Sequence, residues 1–492
     1  MFRRAALLFL GTIAACASAP QVPAPQPYGA VPSARQLVWH ELEFYGFVHF
    51  TMNTFTDKEW GYGDEDRALF NPTDFNAEQI VGTAKMAGMK GLILTCKHHD
   101  GFCLWPSEFT EHSVKNSPWE NGDGDMVREF ADACKEQGLQ FGVYLSPWDR
   151  NHAAYGEPEY IDYYRKQLHE LLTNYGPIFE VWWDGANGGD GYYGGARETR
   201  KIERGTYYDW DTTAEIVREL QPNAVIFSDA GPDIRWIGNE HGVAGDPCWA
   251  TYSPVVREGE TKVGPGTTQS EQGQEGHRDG ALWLPGEADV SIRPGWFYHA
   301  NQDEKVRSSE NLINLYYQSV GRGSSFLLNL PPDRRGRIHE IDVAALTEFR
   351  RVLDETFAVN LAVGAEFTAS NVRGGAENFS TSQLLDGDRN TYWCTDDPVT
   401  SAELVVTLPK PTTFNVVDFR EYLPLGHRID QWALDSWQGG AWVEFAVGES
   451  VGNRRLWRGE DLILSTKVRL RLNGAACPAI SEFGLYEEPP SL

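Results

Sequence analysis

Positive charge is scarce in this sequence. Its 492 residues carry 43 Lys and Arg against 70 Asp and Glu, a formal net charge of −27. A surface that acidic matches neither nucleic acid nor an anionic membrane, and it leaves a neutral ligand open. Cysteine is sparse too: there are seven, none in a C-x-x-C pair, so zinc is not expected. The H-x-H spacing of barrel metallohydrolases is missing. No Gly-rich phosphate loop follows an early strand, which speaks against an open, doubly wound nucleotide-binding sheet. Beyond the leader no apolar run is long enough to span a bilayer as a helix, and no internal repeat is visible.

Aromatic residues, by contrast, are plentiful. They make up 12% of the chain and include 17 Trp, which suits both large cores and carbohydrate binding. The length calls for two domains. The start, MFRRAALLFLGTIAACASAP, reads as an export leader over residues 1–19: two arginines, a short apolar run, then small residues. Ile13-Ala-Ala-Cys16 resembles a bacterial lipoprotein box with Cys16 as the lipidated residue, and this reading is preferred to ordinary cleavage after Ala17-Ser-Ala19. The expected location is the bacterial periplasm or the outer membrane, with membrane contact only through the lipid. Residues 20–36 are rich in Pro and Ala and read as an extended tether.

From residue 37 strands and helices alternate. Strands are expected at 45–50, 91–96, 141–146, 178–184, 224–229 and 325–330, and helices at 76–86, 125–137, 159–175, 212–220, 309–320 and 342–357. Asn76 is an N-cap, with Gln79 placed for a capping box. Residues 231–308 break the register, and two short strands near 249–253 and 295–299 complete a count of eight. The expected fold is therefore α/β: an irregular (β/α)₈ barrel over 37–358. From Asn360 short alternating runs such as AELVVTL and KVRLRL, separated by turn residues, point to an antiparallel β-sandwich domain over 359–492.

In such a barrel the active site lies at the C-terminal ends of the strands. Those ends hold His49, then Lys97-His98-His99-Asp100, Tyr144 with Trp148 and Asp149, Trp182 and Asp184, and Asp229. The run Phe179-Glu-Val-Trp-Trp-Asp-Gly-Ala-Asn187 is central. Trp182 and Asp184 alternate onto one side of a strand that ends in a carboxylate. An aromatic face beside a carboxylate suits a sugar, with the carboxylate attacking or stabilising the anomeric carbon. Each residue alone has a bland reading as a hydrogen-bonder or cap; the shared location is what argues for function. A metal is not expected, because adjacent His98 and His99 in extended chain would face opposite ways. Retaining glycoside hydrolysis also needs an acid about 5–5.5 Å from the nucleophile. Glu240, Glu271, Glu275 and Glu287 are the candidates, and Glu240, in a turn after Arg235-Trp-Ile-Gly-Asn239, is preferred. Glu287 could instead reach the leaving-group sugar.

Several stretches together resemble the α-L-fucosidases of glycoside hydrolase family 29, and the branch that prefers α-1,3/1,4-linked fucose on branched, Lewis-type glycans. They are YGFVHFTMNTFTDKEWGYGDE, LTCKHHDGFCLWPS, YLSPWDR, FEVWWDGANG, ELQPNAVIFSDAGPDIRWIGNE, DVSIRPGWFYH and LLNLPPDRRG. The resemblance implies a retaining exo-enzyme without a cofactor, with Asp184 as nucleophile and Glu240 as acid/base. It implies a fucose pocket of His49, Glu59, Trp60, His98, His99, Tyr144 and Trp182, with Trp296 near the fucose methyl group and Arg235 as a weaker member. The segment GGDGYYGGARETRKIERGTYYDW is longer than the usual family loop and could reshape the leaving-group sites. LLDGDRNTYWCT resembles galactose-binding, discoidin-like domains, which bind sugar or a structural calcium, or brace the barrel. The other readings are a different retaining exo-glycosidase and a non-catalytic glycan-binding surface lipoprotein.

Overall fold

The structure is a computed structural model that describes residues 22–490. The leader, with Cys16, lies outside the described residues. Eight parallel strands close into a barrel in simple chain order. They are β1 (Phe44–Val48), β2 (Gly91–Lys97), β3 (Gln140–Leu145), β4 (Glu180–Trp182), β5 (Val225–Ser228), β6 (Ile234–Trp236), β7 (Gly286–Ser291) and β8 (Ser325–Asn329). Nearly every strand residue is buried, as expected for strands covered on both faces.

The helices form where capping and an apolar face coincide. Asp125 accepts from Arg128 N at 3.0 Å to start Met126–Gln137, and Gly138 closes that helix at φ 78°. Met126, Val127, Phe130, Ala131 and Cys134 form its buried face. Asn76 caps Ala77–Met86 through Gln79 N at 2.7 Å. The Gln79 side chain does not complete a capping box; it holds both backbone groups of Ile338 instead.

Two barrel strands differ from expectation. β6 and β7 lie at 234–236 and 286–291, not at 249–253 and 295–299. Thr251–Tyr252 pairs only with Leu282–Trp283 in a small antiparallel sheet, and 295–299 is a strand-free loop. β5 and β6 are joined by residues 229–233 alone, too few for a helix, and no α-helix lies between β6 and β7. Helix Ala34–His40 covers the N-terminal end of this side: Arg35 pairs with Asp233 at 3.3 Å, and Gln36 donates to the carbonyls of Asp233 and Trp283.

The barrel interior is layered. Trp39 enters from below and donates to Tyr45 (3.0 Å) and Glu180 (3.2 Å). Above it Phe47, Tyr144, Trp182 and Phe227 form an aromatic layer, with Trp182 stacked on Phe227 at 4.2 Å.

The C-terminal domain is a seven-stranded antiparallel sheet. Its two longest strands, Ser401–Glu421 and Arg455–Asn473, change register between Thr407 and Thr412 and again between Phe414 and Val416. Bulges bend a sheet, and this one folds over a core that includes Leu404, Phe414, Phe419, Trp432 and Leu470. The segment expected to be a tether is held against this domain from residue 22 onward. Val22 packs beside Phe379 and Tyr392, Arg373 donates to Pro23 O (2.7 Å), and Tyr28 N to Leu425 O (2.9 Å). Proline-rich chain has no regular hydrogen bonds of its own to satisfy, so its carbonyls are free to take buried arginines. The six cysteines of the described residues are buried and unpaired.

Candidate active site

The C-terminal ends of the strands open into a cavity of ≈ 310 Å³, room for a small ligand. Of the residues singled out in the barrel sequence, His49, Glu59, Trp60, His98, His99, Tyr144, Trp182, Asp184, Asp229, Glu240 and Trp296 line it.

Asp184 follows β4, and its carboxylate is gripped on both oxygens. Ala186 N donates to Oδ1 at 2.7 Å and the Tyr144 hydroxyl to Oδ2 at 2.8 Å. These bonds fix the carboxylate and favour its ionised form, while burial pushes its acid group above the usual aspartate value. Tyr144 reaches it because Tyr144 and Trp182 are paired across β3 and β4.

Glu240 comes in from the loop after β6. Burial pushes its carboxyl above the usual glutamate value, and the charges of Asp184 and Glu59 push the same way. Trp296 Nε1 donates to its Oε2 at 3.2 Å. Trp296 is itself anchored through Glu59, which accepts from Trp296 N at 2.9 Å. His299 then bridges Glu59 and Asp57, at 2.7 Å to each. Burial alone would lower the His299 pKa, but these two carboxylates raise it above the usual histidine value.

The three pocket histidines are neutral. Burial drives His49 and His99 down to about 3, and takes His98 well below its usual value with help from the neighbouring charges. Their partners fix which nitrogen carries the proton. Asn329 gives its amide hydrogens to Ser291 Oγ and Trp296 O, so its oxygen accepts from His49 Nδ1 at 2.9 Å. Ser146 gives its hydrogen to Trp148 O and accepts from His99 Nδ1 at 2.7 Å. Asn53 donates to His98 Nδ1 at 3.2 Å. The pocket therefore offers acceptor nitrogens from His49 and His99 and a donor from His98, a pattern suited to sugar hydroxyls.

Successive His98 and His99 do not face opposite ways. β2 shifts register between Thr95 and Lys97 and ends there, and both rings line the pocket 4.1 Å apart. No group of three or more His, Cys, Asp or Glu that could hold a metal occurs among the described residues.

Two expected site residues lie elsewhere. Arg235, on β6, is fully buried and donates to the carbonyls of Gly273 and Leu284, so it braces the loop behind the pocket. Glu287 is not on a loop and does not reach a leaving-group sugar. It points into the barrel one layer below the pocket, where Tyr45 and Trp182 (2.9 Å) donate to it. There it faces Glu180. Two carboxyls in one dry site cannot both ionise, so burial and mutual repulsion push the Glu180 acid well up.

Other lining residues carried no sequence signal strong enough to select them. Asp289, on β7, accepts from Trp236 Nε1 at 2.7 Å, and burial with the charges of Glu240 and Glu287 pushes its acid well up. Phe47 and Phe227 complete the apolar floor. Arg204 and Arg257 stand at the mouth.

Residues 29–355 match the family model for α-L-fucosidase. The chain is 43% identical over 469 residues to α-L-fucosidase 1 of Arabidopsis thaliana, covering 94% of this chain and 89% of that protein. Among solved structures, a glycoside hydrolase 29 family member from an unknown rumen bacterium superimposes with a TM-score of 0.82 at 43% identity, over 95% of this chain and 79% of the other. A Ruminococcus gnavus GH29 fucosidase in complex with fucose gives 0.84 at 33% identity, over 95% and 97%.

Proposed function

The chain belongs to the α-L-fucosidases of glycoside hydrolase family 29, and we propose that it releases terminal fucose with retention of configuration, using Asp184 as nucleophile and Glu240 as acid/base. In the first step Asp184 bonds to the anomeric carbon as the glycosidic C–O bond breaks, and Glu240 gives its proton to the departing oxygen. In the second, Glu240 takes a proton from water, and the water oxygen displaces Asp184. Tyr144 holds the attacking carboxylate. Trp182 and Phe227 form an apolar floor for the sugar, and His49, His98 and His99 face its hydroxyls. No step calls for a cofactor.

The observation that carries this reading is the pairing of two carboxyls with different support in one aromatic pocket. Asp184 is held by two donors, as a nucleophile requires. Glu240 has a single long bond from an indole, which leaves its carboxyl free to give and take a proton. Asp184→Ala is expected to lower turnover by orders of magnitude without loss of fold. Glu240→Ala is expected to be partly rescued by azide on a substrate with a good leaving group. Full activity in either variant removes the assignment. We further propose a preference for α-1,3/1,4-linked fucose in branched Lewis-type glycans. NMR during digestion of a Lewis-type trisaccharide, with and without its galactose branch, tests linkage and stereochemistry together. Early α-fucose and faster release from the branched sugar are expected.

The same proposal places the protein outside the cytoplasm, anchored through a lipidated Cys16. Intact mass of membrane-extracted protein tests that, and the absence of a diacylglyceryl mass rejects it. The C-terminal domain is assigned a bracing role, on the contacts it makes with the barrel.

A further inference from the structure

We infer that Arg204 and Arg257 form a binding site at the cleft mouth for an anionic substituent, a sulfate ester or a sugar carboxylate, carried by the glycan that leaves. The inference rests on the fucosidase reading above and narrows its substrate class.

The interior of the cleft is acidic. Glu59, Asp184, Asp229, Glu240 and Asp289 all line it. Among the described residues that line it, Arg204 and Arg257 are the only lysines or arginines, in a chain with a net charge of −27. Both are at the solvent end, with side chains 33% and 48% exposed. They share one carboxylate oxygen, that of Glu260, at 3.9 Å and 3.3 Å. A single carboxylate cannot neutralise two guanidiniums, so one positive charge is left over at the mouth. Arg257 gives one further bond, to Gly266 O at 3.1 Å. Most of the forked N–H donors of the pair are left for a ligand, and that fork matches the oxygens of sulfate and carboxylate. Neutral sugar hydroxyls need no such charge.

The pair is also held in place. Asp229, at the end of β5, accepts from Gly266 N (2.6 Å), Thr268 N (3.1 Å) and Thr268 Oγ1 (2.5 Å), and Arg257 N donates to Thr267 O at 2.8 Å. A Cβ on Gly266 would lie 2.2 Å from Gly185 O, so this loop passes directly against the residue after Asp184. The insert bearing Arg204 packs on the same loop. A Cβ on Gly205 would lie 2.7 Å from Lys262 O, and Thr261 Oγ1 donates to Glu203 at 2.9 Å. Gly185, Ala186, Arg204 and Arg257 thus share one wall that runs from beside Asp184 out to the solvent end, past which the rest of the glycan must extend once fucose fills the interior.

The test measures kcat/KM for fucose release from a neutral Lewis-type trisaccharide, its galactose-sulfated form and its sialylated form. It compares wild type with the double variant Arg204→Gln/Arg257→Gln, each rate divided by the same protein's rate on an aryl fucoside. At low salt at least one acidic glycan should be cleaved about tenfold better than the neutral one, the scale of a paired guanidinium contact. That preference should vanish in the double variant and fade in about 1 M NaCl, where charges are screened within ~3 Å. Which acidic glycan leads identifies sulfate or carboxylate as the group. Wild type that cleaves the neutral glycan as well as both acidic ones overturns the inference while fucosidase activity stands. So does a preference that survives the double variant. No release from any substrate, the aryl fucoside included, strikes the fucosidase reading itself.

Discussion

At the scale of single residues, environment separates carboxyls that the sequence presents as equals. In the proposed mechanism Asp184 must be ionised to attack and Glu240 protonated to donate, and both acids are pushed up. Activity should therefore fall as pH drops through a value above that of a free aspartate, and fall again as pH rises through a value above that of a free glutamate. A kcat/KM profile checks both limbs. In Glu240→Gln, with a good leaving group, the alkaline limb should disappear. Glu287 has a different task. Its bond from Trp182 fixes the floor of the pocket from below. Glu287→Ala should cost roughly 1–3 kcal/mol for each donor left unsatisfied, and Glu287→Gln less, as read by urea unfolding. That Asp184 lines the pocket was legible because its motif ends a strand; that Glu240 joins it rested on the turn after Arg235–Asn239 and on the family resemblance. The role of Glu287 was not legible. GEADVS is poor in β-formers and reads as loop, and its partner Glu180 lies across the barrel, where no local pattern can reveal it.

At the scale of elements, the loop over residues 295–299 carries the sharpest consequence. Glu59 binds its backbone at Trp296, and His299 locks Glu59 to Asp57. The raised His299 pKa means that this lock contributes fully below the ordinary histidine value and is lost as pH climbs through the raised one. Hydrogen exchange over 295–299, corrected for intrinsic pH dependence, should accelerate at alkaline pH. It should already be fast at neutral pH in His299→Ala, with KM raised because Trp296 is no longer seated. Unchanged exchange in that variant removes the lock. Six barrel strands and the long helices were legible from apolar period and caps. β6 and β7 were not: Ile234–Trp236 is too short to display a period, and β7 alternates acids into an interior that looks polar from sequence.

At the scale of the molecule, charge holds the two domains together. Glu43, just before β1, is buried and takes Arg420 at 2.5 Å and Arg454 at 3.1 Å, both from the C-terminal domain. Burial alone would raise its acid, but Arg420, Arg454 and Arg389 hold it well below the usual glutamate range. Its contribution is therefore present above that range and lost as pH falls toward the depressed value. Glu43→Ala removes one carboxylate from Arg420 and Arg454, which keep Glu482 at 2.6 Å and Asp418 at 2.7 Å, and should cost roughly 1–3 kcal/mol. Thermal unfolding should show that loss, and a smaller gap between variant and wild type in strong acid. The change of texture at Asn360 made the second domain legible, but its docking depends on residues hundreds of positions apart.

The stretch between β6 and β7 has two neighbours. On one side its continuation from the β6 end supplies Glu240, Arg257 and Thr268 to the cleft. On the other, Asp246 takes Arg455 at 2.9 Å, Cys248 N meets Ser450, Ala250 N meets His427 at 2.9 Å, and Arg278 meets Asp430. The wall of the catalytic mouth is thus also the seat of the second domain. A chimera that exchanges the C-terminal domain between relatives replaces the backing of the Glu240 loop along with the appended domain. A change in the domain behind this wall is therefore expected to alter glycan choice at the mouth in front of it.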